Sequence, residues 1–162
     1  MTGKRVFGVT GWKNAGKTTL ATRLIVELTR RGWRVSSVKH AHHDVDIDRP
    51  ETDSWRHRAA GATEVALVGG LRYAIMREQP DPALAEVLAR MAPADLILIE
   101  GYKREAHPKI EVRSDHSRPI ARDDPSVVAI ASDQRPPEDH LPWFRRDDIA
   151  AIADFPDAHG EL

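Results

Sequence analysis

The stretch that decides the fold is Gly11-Trp12-Lys13-Asn14-Ala15-Gly16-Lys17-Thr18, which has the Gly-x-x-x-x-Gly-Lys-Thr spacing of a phosphate-binding loop. In such a loop the glycines turn backbone N–H groups toward phosphate oxygens, the lysine neutralises β- and γ-phosphate charge, and the threonine hydroxyl binds Mg²⁺. We therefore predict that Lys17 is a catalytic residue as well as a phosphate ligand, and that Thr18 is a metal ligand. The predicted nucleotide-binding residues are Gly11, Asn14, Ala15, Gly16, Lys17, Thr18 and Thr19.

The flanking sequence supplies the context that this pattern requires. Residues 6–10 are apolar and β-branched, as in a buried strand, and residues 17–31 place apolar side chains at helical spacing before Gly32. Residues 34–39 indicate a second strand, so the segment predicts a βαβ unit with a parallel strand pair.

Further elements follow along the chain. The patterns predict helices at residues 53–60, 82–91 and 147–155, and strands at 63–68, 71–76, 95–100, 109–113 and 127–131. We expect residues 63–76 to form a hairpin that gives the sheet a mixed edge, residues 109–113 to be an edge strand, and residues 127–131 to be the last strand. The predicted fold is α/β and P-loop NTPase-like: a mainly parallel sheet with flanking helices and an antiparallel hairpin, in a single domain over residues 1–162.

Composition narrows the classes of protein. The chain has 162 residues, of which 41% are hydrophobic and 30% charged, and its net charge is −1, so it lacks the basic excess of a nucleic-acid-binding protein. It has no cysteine, which excludes disulfides, thiolate zinc sites and a cysteine nucleophile. No apolar run approaches the ~20 residues of a membrane span. We expect no nucleic-acid or membrane partner and a cytoplasmic location.

A second acidic strand accompanies the loop. Residues 95–100 read Asp-Leu-Ile-Leu-Ile-Glu, followed by Gly101. A carboxylate at the carboxyl end of such a strand reaches the Mg²⁺ shell in P-loop proteins. We predict Glu100 as a metal ligand; an ordinary acid at a strand end is the alternative.

A polar loop rich in His and Asp follows the second predicted strand, at the sheet edge where open α/β sheets bind ligands. We predict that Lys39, His40 and His42 contact a phosphate or a cofactor; a metal site with the nearby aspartates and a solvated loop remain open alternatives. One of Asp46, Asp48 and Asp53 is expected to position water or Mg²⁺, and Asp53 is taken as the catalytic candidate. Asp53 would otherwise cap the following helix.

Several single residues carry further predictions. Asp133 ends an apolar strand, where a carboxylate would accept hydrogen bonds from guanine N1 and N2, and we predict that it binds the base. Two positions are equally open for Glu111: facing the active cleft, or at an exposed strand edge. Lys103 either contacts an anion or has no role in binding. Arg56 and Arg58 are candidates for an arginine that stabilises the transition state.

With these motifs the chain resembles the molybdopterin-guanine dinucleotide biosynthesis protein B (MobB) family. The resemblance rests on the phosphate loop, on Lys39-His40-Ala41-His42-His43-Asp44, on Glu100-Gly101-Tyr102-Lys103 and on Pro108-Lys109-Ile110-Glu111. Residues 49–52 depart from the family's pattern, because Glu51-Thr52 stand where small and basic residues are expected.

The resemblance implies a weakly hydrolysing GTP-binding accessory protein that uses Mg²⁺ and forms a homodimer. Its implied partners are a molybdopterin guanylyltransferase, which it assists, and a molybdopterin-type ligand. Two alternatives from other classes remain. The phosphate loop also suits a small-molecule kinase, for which residues 118–122 would be a basic lid, and the His/Asp loop suits a metallochaperone GTPase.

Overall fold

The computed structural model describes residues 5–41, 45–114, 117–137 and 140–159. These residues form two compact units: one contains the chain up to His40 and from Pro93 onward, and the other spans Ala41–Ala92. The elements in chain order are β1 (Val6–Thr10), α1 (Lys17–Arg30), β2 (Val35–Lys39), α2 (Asp53–Ala59), β3 (Glu64–Val68), β4 (Tyr73–Arg77), α3 (Leu84–Arg90), β5 (Leu96–Glu100), β6 (Lys109–Val112), β7 (Val127–Ser132), β8 (Trp143–Arg145) and α4 (Ile149–His159).

The first unit is built on a six-stranded sheet in the order β2-β5-β1-β6-β7-β8, and every strand pairing in it is parallel. β1 is buried along its whole length, and β5 along all but its last residue, as expected for central parallel strands covered on both faces. Helix α1 contributes Leu20, Leu24 and Leu28 to the core, and α4 contributes Ile152. The predicted α/β class with a mainly parallel sheet is confirmed.

The sheet corrects three expectations of strand order. β1 and β2 are not partners, because β5 lies between them and pairs with both. Residues 109–113 do not form an edge strand: β6 lies between β1 and β7 and is fully buried. The last strand is β8, whose three residues are too few to give a detectable pattern.

The second unit contains the predicted hairpin, with β3 and β4 paired antiparallel from Glu64 opposite Arg77 to Val68 opposite Tyr73. The hairpin forms its own two-stranded sheet, so the expected mixed edge of the main sheet is wrong. The prediction of one nucleotide-binding domain stays a prediction. In the described part of the chain, no helix has the length and apolar character needed to cross a membrane.

Candidate functional site

The phosphate loop joins the carboxyl end of β1 to the start of α1. Three of its residues have positive φ: Gly11 at 151°, Asn14 at 62° and Gly16 at 99°. A Cβ at Gly11 would lie 2.5 Å from the carbonyl oxygen of Val112, so only glycine fits there. Such reversals of backbone hand bring successive N–H groups toward one anion, and the amino end of α1 adds its dipole.

Lys17 lies in the first turn of α1, and its ammonium donates to the carbonyl oxygen of Trp12 at 2.7 Å. Burial lowers the pKa of Lys17, the nearby ammoniums of Lys103 and Lys39 lower it further, and the Glu100 carboxylate acts in the opposite direction. Three cations therefore crowd around one carboxylate at the head of the helix. Bound phosphate would reduce the electrostatic repulsion among these three cations.

Thr18 and Glu100 meet because β5 pairs with β1, which places Glu100 beside Val9 at the base of the loop. The Thr18 hydroxyl donates to Glu100 Oε1 at 2.6 Å, and the Lys39 ammonium lies 3.4 Å from each of these oxygens. A hydroxyl and a carboxylate are ligands that Mg²⁺ prefers, and Mg²⁺ takes its remaining ligands from phosphate and water. The two predicted metal ligands thus lie together and fit the ion. No group of three or more His, Cys, Asp or Glu suited to a metal occurs among the described residues.

Two more predicted residues lie near this edge. Lys39 is opposite Glu100 in the β2–β5 pairing, and the ring of His40 packs on Tyr102 with centroids 4.4 Å apart. His42 lies outside the described residues, as do His43 and Asp44. The ammonium of Lys103 lies 4.0 Å from the centroid of the Trp12 ring. Whether this residue contacts an anion stays a prediction.

Asp133 follows β7 and pairs with Arg146, whose Nε donates to Asp133 Oδ1 at 2.8 Å and whose second amino group contacts Oδ2. This pairing lowers the pKa of Asp133. Arg146 also donates to the carbonyl oxygen of Ala15 at 3.3 Å, so it connects Asp133 to the phosphate loop. Asp133, Arg146, Gly16 and Thr19 line one cavity of about 300 Å³. No local pattern marks Arg146, because it follows a strand of only three residues.

Glu111 belongs neither to an open cleft nor to an exposed edge, and both expectations are wrong. Its carboxylate is fully buried and accepts from Arg113, at 3.2 and 2.7 Å, and from the backbone N–H groups of Ile120 and Ala121, each at 3.0 Å. The alternation of charged and apolar residues in β6 therefore reflects buried ion pairs rather than exposure to solvent.

The remaining candidates lie in the second unit. Asp53 is the first residue of α2, but the helix cap is Thr52, whose hydroxyl accepts from the N–H of Trp55 at 3.4 Å, so the capping alternative for Asp53 is wrong. Asp46 and Asp48 lie 3.1 and 3.0 Å from the guanidinium of Arg58, which also contacts Glu78. Arg58, a candidate transition-state arginine, is thus held by three carboxylates. The catalytic role of Asp53 stays a prediction.

Comparison with known proteins adds to this geometry. The family model described as molybdopterin guanine dinucleotide synthesis protein B matches residues 6–133, from the start of β1 to Asp133. The chain belongs to this MobB family. Within it, the chain is similar to the molybdopterin-guanine dinucleotide biosynthesis adapter protein of Haemophilus influenzae, with 40% identity over 93% of this chain and 86% of the relative. The adapter protein of Escherichia coli is 38% identical over 89% of this chain and 86% of its own length.

The fold agrees with solved structures of MobB proteins. A crystal structure of molybdopterin-guanine biosynthesis protein B superimposes with a TM-score of 0.76 at 26% identity, covering 94% of this chain and 97% of that one. The MobB resemblance predicted from the motifs is confirmed.

Proposed function

We propose that this chain is a GTP-binding accessory protein in the assembly of molybdopterin guanine dinucleotide. The observation that carries the proposal is the phosphate loop of residues 11–18 joined to Glu100 through the Thr18 hydroxyl, in a chain whose relatives are named as adapter proteins of that biosynthesis. In this role the chain supplies a bound nucleotide and a docking surface, and a guanylyltransferase performs the transfer of GMP.

Nucleotide binding would use the groups around the loop. The loop's N–H groups and Lys17 would hold the phosphates, and Thr18 and Glu100 would hold Mg²⁺, which supplies charge neutralisation at the γ-phosphate. Hydrolysis is expected to be slow, because Arg58 is engaged by carboxylates and Arg56 lies 3.6 Å from Glu51. A positioned arginine accelerates GTP hydrolysis by orders of magnitude, so its engagement elsewhere keeps the rate low.

The guanine base is assigned to Asp133, because its cavity also contains Gly16 and Thr19 at the start of α1. A carboxylate there accepts from guanine N1 and N2, and adenine offers no such pair of donors. Arg146 supports this carboxylate and binds Ala15 of the phosphate loop. The base and phosphate contacts are therefore linked through one arginine.

The test is calorimetric titration with GTP and ATP in the presence of Mg²⁺. Lys17→Ala should abolish binding of both nucleotides, and Lys13→Ala, an exposed lysine of the same loop, should retain it. Asp133→Asn keeps an acceptor for Arg146 but loses the charge, so it should weaken GTP about tenfold and ATP by less than about threefold. Undiminished GTP binding by Lys17→Ala would contradict the proposal, and equal losses for both nucleotides in Asp133→Asn would remove the base assignment.

The proposal includes a homodimer, supported by the exposed face of the hairpin. Ala66, Val68, Tyr73 and Ile75 share one face of the β3–β4 pair, and the last three are 75%, 71% and 58% exposed. A contiguous apolar face of this kind is typical of a protein interface. We assign this face to a second copy of this chain, and we assign recognition of the guanylyltransferase to the assembled dimer. Retention of the transferase by an immobilised copy of this chain would test that recognition.

A further inference from the structure

A cavity of about 600 Å³ adjoins the phosphate loop within the first unit, and the proposed function does not use it. One wall is the Trp12 side chain, which belongs to the loop itself. The other walls are residues 103–106, which follow β5, and residues 118–120 and 123–126, which precede β7. Its volume lies within the range of small-molecule sites.

A fully buried lysine holds these walls together. The ammonium of Lys109 donates to the carbonyl oxygen of Lys103 at 3.1 Å, to that of Glu105, and to the carboxylate of Asp124 at 3.2 Å, and all three of these partners line the cavity. The first two contacts fix one wall and the third fixes the wall opposite. Burying a charge is costly unless it is fully paired, so this arrangement gives the cavity a fixed shape.

Trp12 joins the cavity to the nucleotide site. Its indole N–H donates to the carbonyl oxygen of Arg118 at 2.6 Å, and its own carbonyl oxygen accepts from the Lys17 ammonium at 2.7 Å. Lys17 is the residue that reaches the terminal phosphates in loops of this kind. The cavity lined by Asp133 instead includes Gly16 and Thr19, so the loop lies between two ligand-sized spaces.

The lining indicates the chemistry of an occupant. Trp12 is 42% exposed and offers an aromatic surface that already attracts the Lys103 ammonium. Pro119 and Ile120 add apolar surface. Of the three carboxylates in the lining, Asp123 pairs with Arg118 at 3.0 Å and Asp124 with the buried Lys109 at 3.2 Å. Among the remaining charges, Lys103 and Arg104 outnumber Glu105, so the wall keeps a positive excess. Aromatic and apolar walls with a few cations favour a planar ring that carries an anionic group.

We propose that this cavity is a second ligand site, which binds a planar heteroaromatic anion of the pterin type beside the terminal phosphate of the nucleotide. The choice of a pterin rests on the proposed function; the cavity, its buried lysine and its link to Lys17 do not. Since Trp12 contacts both sites, occupancy of the cavity should be sensed at the phosphate loop.

The experiment is a titration of ¹⁵N-labelled protein with 6-carboxypterin, followed through the indole N–H signals of tryptophan and assigned with Trp12→Phe. The Trp12 signal should shift with a dissociation constant below about 1 mM, the affinity that ordinary ligand efficiency gives for a molecule of this size. The Trp143 signal is the internal control, because its N–H donates to Ser132 Oγ at 2.9 Å and its side chain does not line the cavity.

Two matched variants locate the site. Arg104→Met removes an exposed cation of the cavity wall and should weaken 6-carboxypterin about fivefold, whereas Arg135→Met removes an exposed cation elsewhere and should change nothing. GTP titrations of the same samples test the proposed function separately. An unshifted Trp12 signal at several millimolar 6-carboxypterin, or equal effects of the two variants, would overturn the second site even where GTP binds normally.

Discussion

We predict that His107 makes the stability of this protein depend on pH, and that replacing it removes most of that dependence. The side chain is 4% exposed, and neither ring nitrogen has a hydrogen-bond partner among the described residues. The ring packs so closely on β1 that a Cβ at Gly8 would lie 2.5 Å from Nε2. Burial lowers the pKa of His107 from 6.5 to about 4, the Lys109 ammonium adds to this effect, and the Asp124 carboxylate opposes it.

The sign and size of the effect follow from proton linkage. Between pH 6.5 and pH 4 the unfolded chain binds a proton at His107 that the folded protein excludes, so stability is complete above this window and falls as the pH falls through it. With these two pKa values, the free energy of unfolding should decrease by about 2 kcal/mol from pH 7 to pH 5.

Urea unfolding followed by circular dichroism at pH 7, 6 and 5 measures this slope. His107→Leu, which keeps an apolar side chain of similar size, should lose most of the decrease. His57→Leu, which replaces an exposed residue of α2, is the control and should retain it. A slope in His107→Leu equal to that of the unmodified chain would refute the assignment, because the excluded proton would then belong to another group.

Three further predictions concern the core, the metal and the hairpin. Glu111→Ala removes the buried acceptor of Arg113 and of two backbone N–H groups, so it should lower the free energy of unfolding by about 3–5 kcal/mol. Glu64→Ala, at an exposed strand position, should lower it by less than about 1 kcal/mol, and similar losses in the two variants would contradict the buried ion pair. Glu100→Gln keeps a partner for Thr18 but loses the charge, so the Mg²⁺ concentration for half-maximal GTP binding should rise about tenfold, and an unchanged requirement would exclude this ligand. Ile75→Glu should convert dimer to monomer in light scattering, whereas Leu67→Glu on the opposite face should not; an unaffected dimer would place the interface elsewhere.

The parts of this protein that could be predicted from sequence are those whose residues are adjacent in the chain. The phosphate loop is one contiguous pattern, and the strand before it and the helix after it have their own periodicity. The position of Glu100 at the end of β5 could be predicted because an apolar strand ending in an acid is also a local pattern, while its role as a metal ligand stays a prediction. The family resemblance extended these assignments, since it joined several short motifs across the chain.

The residues that sequence missed act through partners that are distant in the chain. Arg146 reaches Ala15 across 131 positions, and no local pattern marks an arginine for that contact. Glu111 was misjudged because its charge suggested solvent, whereas Arg113 and two N–H groups neutralise it inside the sheet. Strand order was wrong for a related reason: connection length shows that strands are parallel but does not show that β5 enters between β1 and β2.

The same strand order explains the charge balance of the site. Because β5 pairs with both β1 and β2, Glu100 lies beside Thr18 on one side and Lys39 on the other. The Glu100 side chain is only 13% exposed, and its carboxylate lies 3.4 Å from the Lys39 ammonium. The Lys39 side chain is 60% exposed, so it is able to turn toward solvent. Arrival of Mg²⁺ would release that ammonium toward the phosphates, where it would join Lys17 and Lys103. Under the proposed function, the metal and the triphosphate would therefore bind best together, since either one alone would leave part of this charge unpaired.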